Sequence, residues 1–209
     1  MFYYEVIAGS RSYGLEIEQS DVDLCRVSDT WNMGATEGEY NILQIPKDEF
    51  VHRVIGDHSS VYYLQWLFPY KVSSNNALTT YLQENREKIV HALLPYIYRV
   101  FWTTANGLKM YADWLYELYP KRLAYSAHFY SLLANYADGM SFAQAHVAQD
   151  ELRNELLAMR KKEIVLSDAI TICEEQKKRA EAASDFYQAE KDEIYLNEVA
   201  SQMRRLMGC

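Results

Sequence analysis

The sequence predicts an α+β fold: a small mixed sheet near the N-terminus, followed by an all-helical region. Two observations carry this reading. Runs with the two-residue alternation of strands are confined to the first ~70 positions, and helical periodicity takes over after Pro46 and persists to the C-terminus. The expected division is therefore residues 1–70 as the sheet-bearing core and residues 71–209 as a helical region that covers its cleft.

Residues 2–8 are rich in aromatic and β-branched side chains and stop at Gly9-Ser10, which reads as a first strand. Residues 21–27 alternate acid and apolar positions, the pattern of a half-buried strand, and residues 39–45 alternate again before Pro46. The polar stretch 28–38 carries two glycines and is expected to be a loop. Residues 48–56 read as a short helix with acids in the first turn and a glycine stop, and 61–68 as another closed by Pro69. Further helices are expected from Asn76 to the interruption at Pro95, over 96–119 up to Pro120, and over 121–136 up to Asp138-Gly139. Three more follow over 150–159, 164–183 and 188–207. In the 164–183 segment, Glu174 with Lys178 and Glu175 with Arg179 make i,i+4 pairs on a solvated face.

Composition narrows the functional classes. The 209 residues are 49% hydrophobic, enough for a sizeable core, and 18 tyrosines and four tryptophans make that core aromatic. No apolar run reaches the length of a membrane span, and the N-terminus lacks the basic region of a signal peptide, so a cytoplasmic protein without membrane partners is expected. Three scattered cysteines argue against a disulfide framework and against a cysteine-ligated zinc. A net charge of -8 argues against non-specific adhesion to nucleic-acid backbones as the main activity. His52, His58, His91 and His146 show no metal-cage spacing, and the aromatic stripe over 96–119 reads as core rather than as a base-stacking platform.

The chemistry sits in Ile7-Ala8-Gly9-Ser10-Arg11-Ser12-Tyr13-Gly14 and, after a short turn, Ser20-Asp21-Val22-Asp23-Leu24. Glycine at a strand end lets the backbone approach a phosphate, Ser10 adds a hydroxyl, and the fork of Arg11 suits triphosphate oxygens. Asp21 and Asp23 are two apart on a strand, so their carboxylates share a face roughly 6–7 Å apart. Such a pair can hold Mg²⁺, with Mn²⁺ as the alternative ion, together with substrate phosphates. A third acid would allow two metals and in-line displacement.

In this order the motif resembles the core of the DNA polymerase β superfamily of nucleotidyltransferases. More narrowly, GSRSYGLEIEQSDVDL is similar to the RNA-repair-associated polymerase-β-like family, matching also at Arg11, Tyr13, Gly14, Leu15 and Ser20. Fainter likeness extends to Lys121, His128 and Gly139, and to Leu156-Leu157-Ala158-Met159-Arg160-Lys161-Lys162-Glu163, where Lys162 stands in place of a glycine. The resemblance implies a polymerase-β-like fold and transfer of a nucleoside monophosphate from a triphosphate, with ATP the expected donor, to an acceptor hydroxyl on RNA, protein or a small molecule. Asp21 and Asp23 are then the metal and catalytic acids, with Glu39 as candidate third acid; Gly9, Ser10, Arg11, Tyr13 and Lys121 are the candidate nucleotide-binding residues. Two departures bear on turnover. Asn41 occupies a phase where an acid is expected, leaving Glu39, Glu37 or no acid beside the aspartates, and Gln65 stands where the family carries a glutamate. The rival expectation is a catalytically lapsed nucleotide-binding or interaction module of the same fold.

Overall fold

The computed structural model describes residues 2–56, 61–110 and 115–208; His58, Cys209 and residues 111–114 of the aromatic stripe lie outside the described residues. The fold is α+β, with a five-stranded mixed sheet and helices. The chain forms two compact units. One comprises Met1–Tyr13, Gln19–Leu93 and Lys191–Cys209, and the other Gly14–Glu18 and Leu94–Glu190.

The first unit carries the sheet, in the order β3-β4-β2-β1-β5. Its strands are β1 (Tyr4–Ile7), β2 (Val22–Ser28), β3 (Asn32–Glu37), β4 (Tyr40–Pro46) and β5 (Lys71–Val72). β1 runs antiparallel to β2 and to β5, β2 and β4 are parallel, and β3 returns antiparallel along β4. The polar stretch expected to be a loop contains the strand β3. It is an edge strand in which Asn32, Gly34, Thr36 and Glu37 are exposed, and those polar positions do not spell the apolar alternation that marks a half-buried strand. A bulge between Met33 and Ala35 bends it, with Gly34 between them at φ +76.

Packing of this unit follows from its aromatic residues. Helix α1 (Lys47–Val54) places Phe50 against Tyr4 and Trp66, each pair with ring centroids 5.5 Å apart, and the Tyr4 hydroxyl donates to the Trp66 carbonyl at 2.6 Å. The segment expected to be helical over 61–68 is a 3-10 turn, Val61–Trp66, which aims Leu64, Gln65 and Trp66 inward. Helix α2 (Ala77–Ala92) is capped by Asn76, whose side chain accepts from Thr79 N–H and donates to the Tyr3 carbonyl. The last helix, Glu193–Leu206, joins this unit because Leu196, Val199, Ala200 and Met203 form one buried stripe at helical spacing. Its N-terminus is fixed by Asp192, whose amide donates to the Ala92 carbonyl and whose carboxylate caps Tyr195 N–H.

In the second unit, helices α3 (Leu94–Lys109), α4 (Lys121–Ala137), α5 (Phe142–His146), α6 (Asp150–Arg160) and α7 (Leu166–Ala182) surround a single axis. That axis is α4, buried from Leu123 to Tyr136 on nearly every side, the expected state of a central helix. Its polar groups are satisfied internally. Ser126 Oγ donates to the Ala105 carbonyl, Tyr130 to Asn106 Oδ1, and the Tyr187 hydroxyl donates to the Leu133 carbonyl at 2.6 Å. Pro95 sits in the first turn of α3 and Pro120 precedes α4, where a missing N–H costs no intrahelical bond. Gly14–Glu18 belongs here because two arginines of α6 grip it. Arg153 Nε donates to the Gly14 carbonyl at 2.9 Å, and Arg160 NH1 donates to the Leu15 carbonyl with its guanidinium over the Tyr125 ring.

Among the described residues, no helix is long and apolar enough to cross a membrane.

Two outcomes follow from the helical unit. Arg160→Ala removes a charged donor that is only 9% exposed, and it should lower stability by about 2–3 kcal/mol in urea unfolding. His128 is fully buried, its Nε2 3.1 Å from the His146 carbonyl oxygen, and burial holds its pKa down at about 4. The unfolded chain takes up this proton near pH 6.5, so the stability is complete above that pH and is lost as the pH falls toward 4. Thermal melts between pH 7 and 4 should show a loss on the order of 3 kcal/mol that His128→Gln flattens.

Candidate functional site

The antiparallel pairing of β1 and β2 decides where the motif residues meet. Ile7 is in register with Leu24, and Ala8 N–H donates to the Asp23 carbonyl at 3.0 Å, so the end of the first strand lies beside the start of the second. The chain then turns at once through a 3-10 helix, Gly9–Arg11, closed by Ser12, whose hydroxyl and amide both donate to the Gly9 carbonyl at 2.8 and 3.2 Å. Gly9 adopts φ +70, and a Cβ on it would run into the Asp23 carboxylate, lying 2.8 Å from Cγ and closer still to Oδ2. Backbone and carboxylate thus touch at a place where no other residue fits. Gly9 N–H donates to Gln65 Oε1 at 2.9 Å, so this first amide of the turn is already engaged by a side chain of the 61–66 segment.

Asp21 precedes β2 and is exposed, whereas Asp23 is partly buried in it. Asn41 is in parallel register with Asp23 and donates from Nδ2 to Asp21 Oδ2 at 2.9 Å. The position beside the two aspartates on the next strand is therefore filled by a carboxamide. Glu37 pairs in register with Tyr40, one residue out of phase with Asn41, so it projects from the opposite face of the sheet. There it meets Arg26 at 3.0 Å, alongside Glu5 at 2.7 Å. Glu39 lies in the exposed turn before β4. Like Asp21, it immediately precedes the Val22–Tyr40 pair that opens the parallel ladder.

Under Gly9 and Asp23 lies a cavity of about 360 Å³, lined also by Ala8, Cys25, Gly34, Asn41, Ile42, Leu43, Gln65 and Trp66. Its size is that of a small-molecule site, with an apolar floor and a few polar groups on one rim. The Cys25 thiol is pushed far up by burial and further by the Asp23 charge, so it is a neutral wall group rather than a nucleophile. Cys25 and Trp66 were not legible as site residues. The signal for Cys25 was its shared phase with Asp21 and Asp23, four and two positions on respectively in an alternating run.

The other expected residues are distributed differently. Ser10 is buried at the turn (8% exposed). Arg11 is partly exposed, and its Nε is buried without a hydrogen-bond partner among the described residues. Tyr13 is 1% exposed, a core position rather than an open surface for stacking. Lys121 is the exposed first residue of α4, in the helical unit.

Among the described residues, no three His, Cys, Asp or Glu side chains come together as a metal-holding group. Two carboxylates beside a glycine with no side chain fit a different arrangement, in which Mg²⁺ takes one or two protein carboxylates and completes its shell with phosphate oxygens and water. The chain matches no family model, no curated protein and no solved structure.

Gly9→Ala combines a left-handed backbone with a collision at Asp23. The backbone alone costs about 1–2 kcal/mol, and the collision moves the carboxylate. Thermal unfolding should therefore show a clear drop, whereas Gly139→Ala, also at positive φ but with open space around it, should show only the backbone cost.

Proposed function

We propose that the chain is a Mg²⁺-dependent nucleotidyltransferase with a polymerase-β-like core, which moves a nucleoside monophosphate from a triphosphate, ATP in the first instance, to an acceptor hydroxyl. The observation that carries this reading is the close approach of Gly9 to the Asp23 carboxylate at the mouth of a cavity, with Asp21 at the same sheet end. A glycine, a buried serine and an acid pair brought together by antiparallel strands suit a triphosphate: a turn with no side chain at Gly9, a hydroxyl, and carboxylates for its cation.

Asp21 and Asp23 would hold Mg²⁺, which when bound supplies positive charge against the phosphate oxygens and the leaving pyrophosphate. Ser10 and Arg11 would bind the β- and γ-phosphates, and the buried, unpaired Nε of Arg11 is a donor suited to such an oxygen. Glu39, beside Asp21 at the opening of the parallel ladder, is the acid best placed to orient the attacking hydroxyl. RNA, a protein and a small molecule are the acceptor classes under this reading.

A second reading, a module that binds a nucleotide without turning it over, is favoured by Asn41. Its carboxamide occupies the register position next to Asp23 and donates to Asp21, so no acid sits there to complete a two-metal site.

Calorimetry with ATP and Mg²⁺, followed by an assay of pyrophosphate release with candidate acceptors, tests both. The wild type should bind ATP only with the divalent ion, and Asp23→Asn should weaken binding at least tenfold, roughly 1.4 kcal/mol. Pyrophosphate release abolished by Glu39→Gln supports the transferase. Binding without release, with release appearing in Asn41→Asp, supports the module. Absence of ATP binding by the wild type sinks both.

A further inference from the structure

Gln65 is 3% exposed and lines the cavity together with Asp23 and Asn41. One end of its carboxamide is used: Oε1 accepts from Gly9 N–H at 2.9 Å. The other end, Nε2, has no hydrogen-bond partner among the described residues. Nε2 is not among the fully buried unpaired atoms, so it opens on the cavity and is available there to an acceptor oxygen of a ligand. Cys25, Leu43 and Trp66 make up the apolar share of the same lining. A carboxylate here could hold Gly9 equally well through one oxygen, but it would add a negative charge beside Asp23 and present no donor.

We propose that Gln65 is a ligand-binding residue of this site, its Nε2 donating to a phosphate oxygen of the triphosphate while Oε1 holds Gly9 against Asp23. The inference rests on the nucleotide reading above and adds to it a specific contact. In this chain the neutral carboxamide suits that contact, because an ionised side chain in the same place would repel the oxyanion that the carboxamide receives.

Two probes and two variants test it in the 209-residue chain: Mg²⁺–tripolyphosphate and Mg²⁺–ATP, titrated calorimetrically into the wild type, Gln65→Glu and Gln65→Met at pH 8. Gln65→Glu keeps an oxygen for the Gly9 N–H but replaces the donor with a negative charge, so it should bind both probes at least tenfold more weakly than the wild type. Gln65→Met, which has similar length but neither donor nor acceptor, should also lose affinity for both probes and show faster hydrogen exchange at the Gly9 amide. Should Gln65→Met fail to fold, Gln65→Glu carries the comparison alone. The proposal is overturned if the Glu variant matches the wild type, or if the loss affects ATP and spares tripolyphosphate. A wild type that binds neither probe overturns the nucleotide reading itself, and the Gly9 exchange then still reports whether Gln65 sets the turn.

Discussion

The contact on which the site depends is steric before it is chemical. Gly9 and Asp23 occupy space that a single methyl group would fill, and they meet because β1 and β2 pair antiparallel with Ile7 opposite Leu24. The positive φ of Gly9 turns the chain away from the sheet immediately after the strand, and Gln65 secures that turn from the other side of the cavity. Ser10, Arg11 and the aspartates inherit their positions from this one junction. Any change in the register of β1 against β2 by one residue would send Asp23 to the opposite face and dissolve the arrangement.

Charge within the site is held low by two carboxamides. Asn41 donates to Asp21, and Gln65 accepts from Gly9, so the two aspartates share the rim with neutral partners. The remaining acids of the sheet are directed elsewhere: Glu37 and Glu5 flank Arg26 on the opposite face. This separation of a carboxylate face from an ion-paired face follows from the two-residue alternation of β2, in which Asp23 and Arg26 differ in parity.

The extended motif divides between two tasks. Gly9, Ser10 and Arg11 belong to the turn at the cavity. Gly14 and Leu15 belong to the helical unit, where Arg153 and Arg160 hold their carbonyls and a Cβ on Gly14 would press on Val147 at 3.1 Å. Tyr13 and Leu15 are buried, at 1% and 0% exposure. So the Tyr-Gly-Leu stretch, which in sequence reads as part of a nucleotide loop, is accounted for by packing. The same holds for Arg160, whose guanidinium serves a backbone carbonyl and an aromatic ring.

What the sequence determined by itself was local: three of the five strands, most of the helices with their proline and glycine boundaries, and the pairing of a Gly-Ser turn with an Asp-x-Asp strand; the short helix Phe142–His146 was not among those expected, and the helix expected over 61–68 is a 3-10 turn. Such features are written in periods of two and 3.6 and in residues with unusual backbone freedom, so neighbouring positions suffice to read them. The edge strands β3 and β5 escaped because an exposed strand has no apolar face to reveal it, and the pairing partners that define it are distant in the chain. The return of the last helix to the sheet-bearing unit was equally hidden, since an apolar stripe states that a helix is covered without saying by what. Only the tertiary structure decided that Asn41 rather than Glu37 stands beside Asp23, that Gln65 holds Gly9, and that Cys25 and Trp66 wall the cavity. Those facts depend on strand register and on residues converging from positions up to 58 apart in sequence (Ala8 and Trp66), which no local pattern encodes.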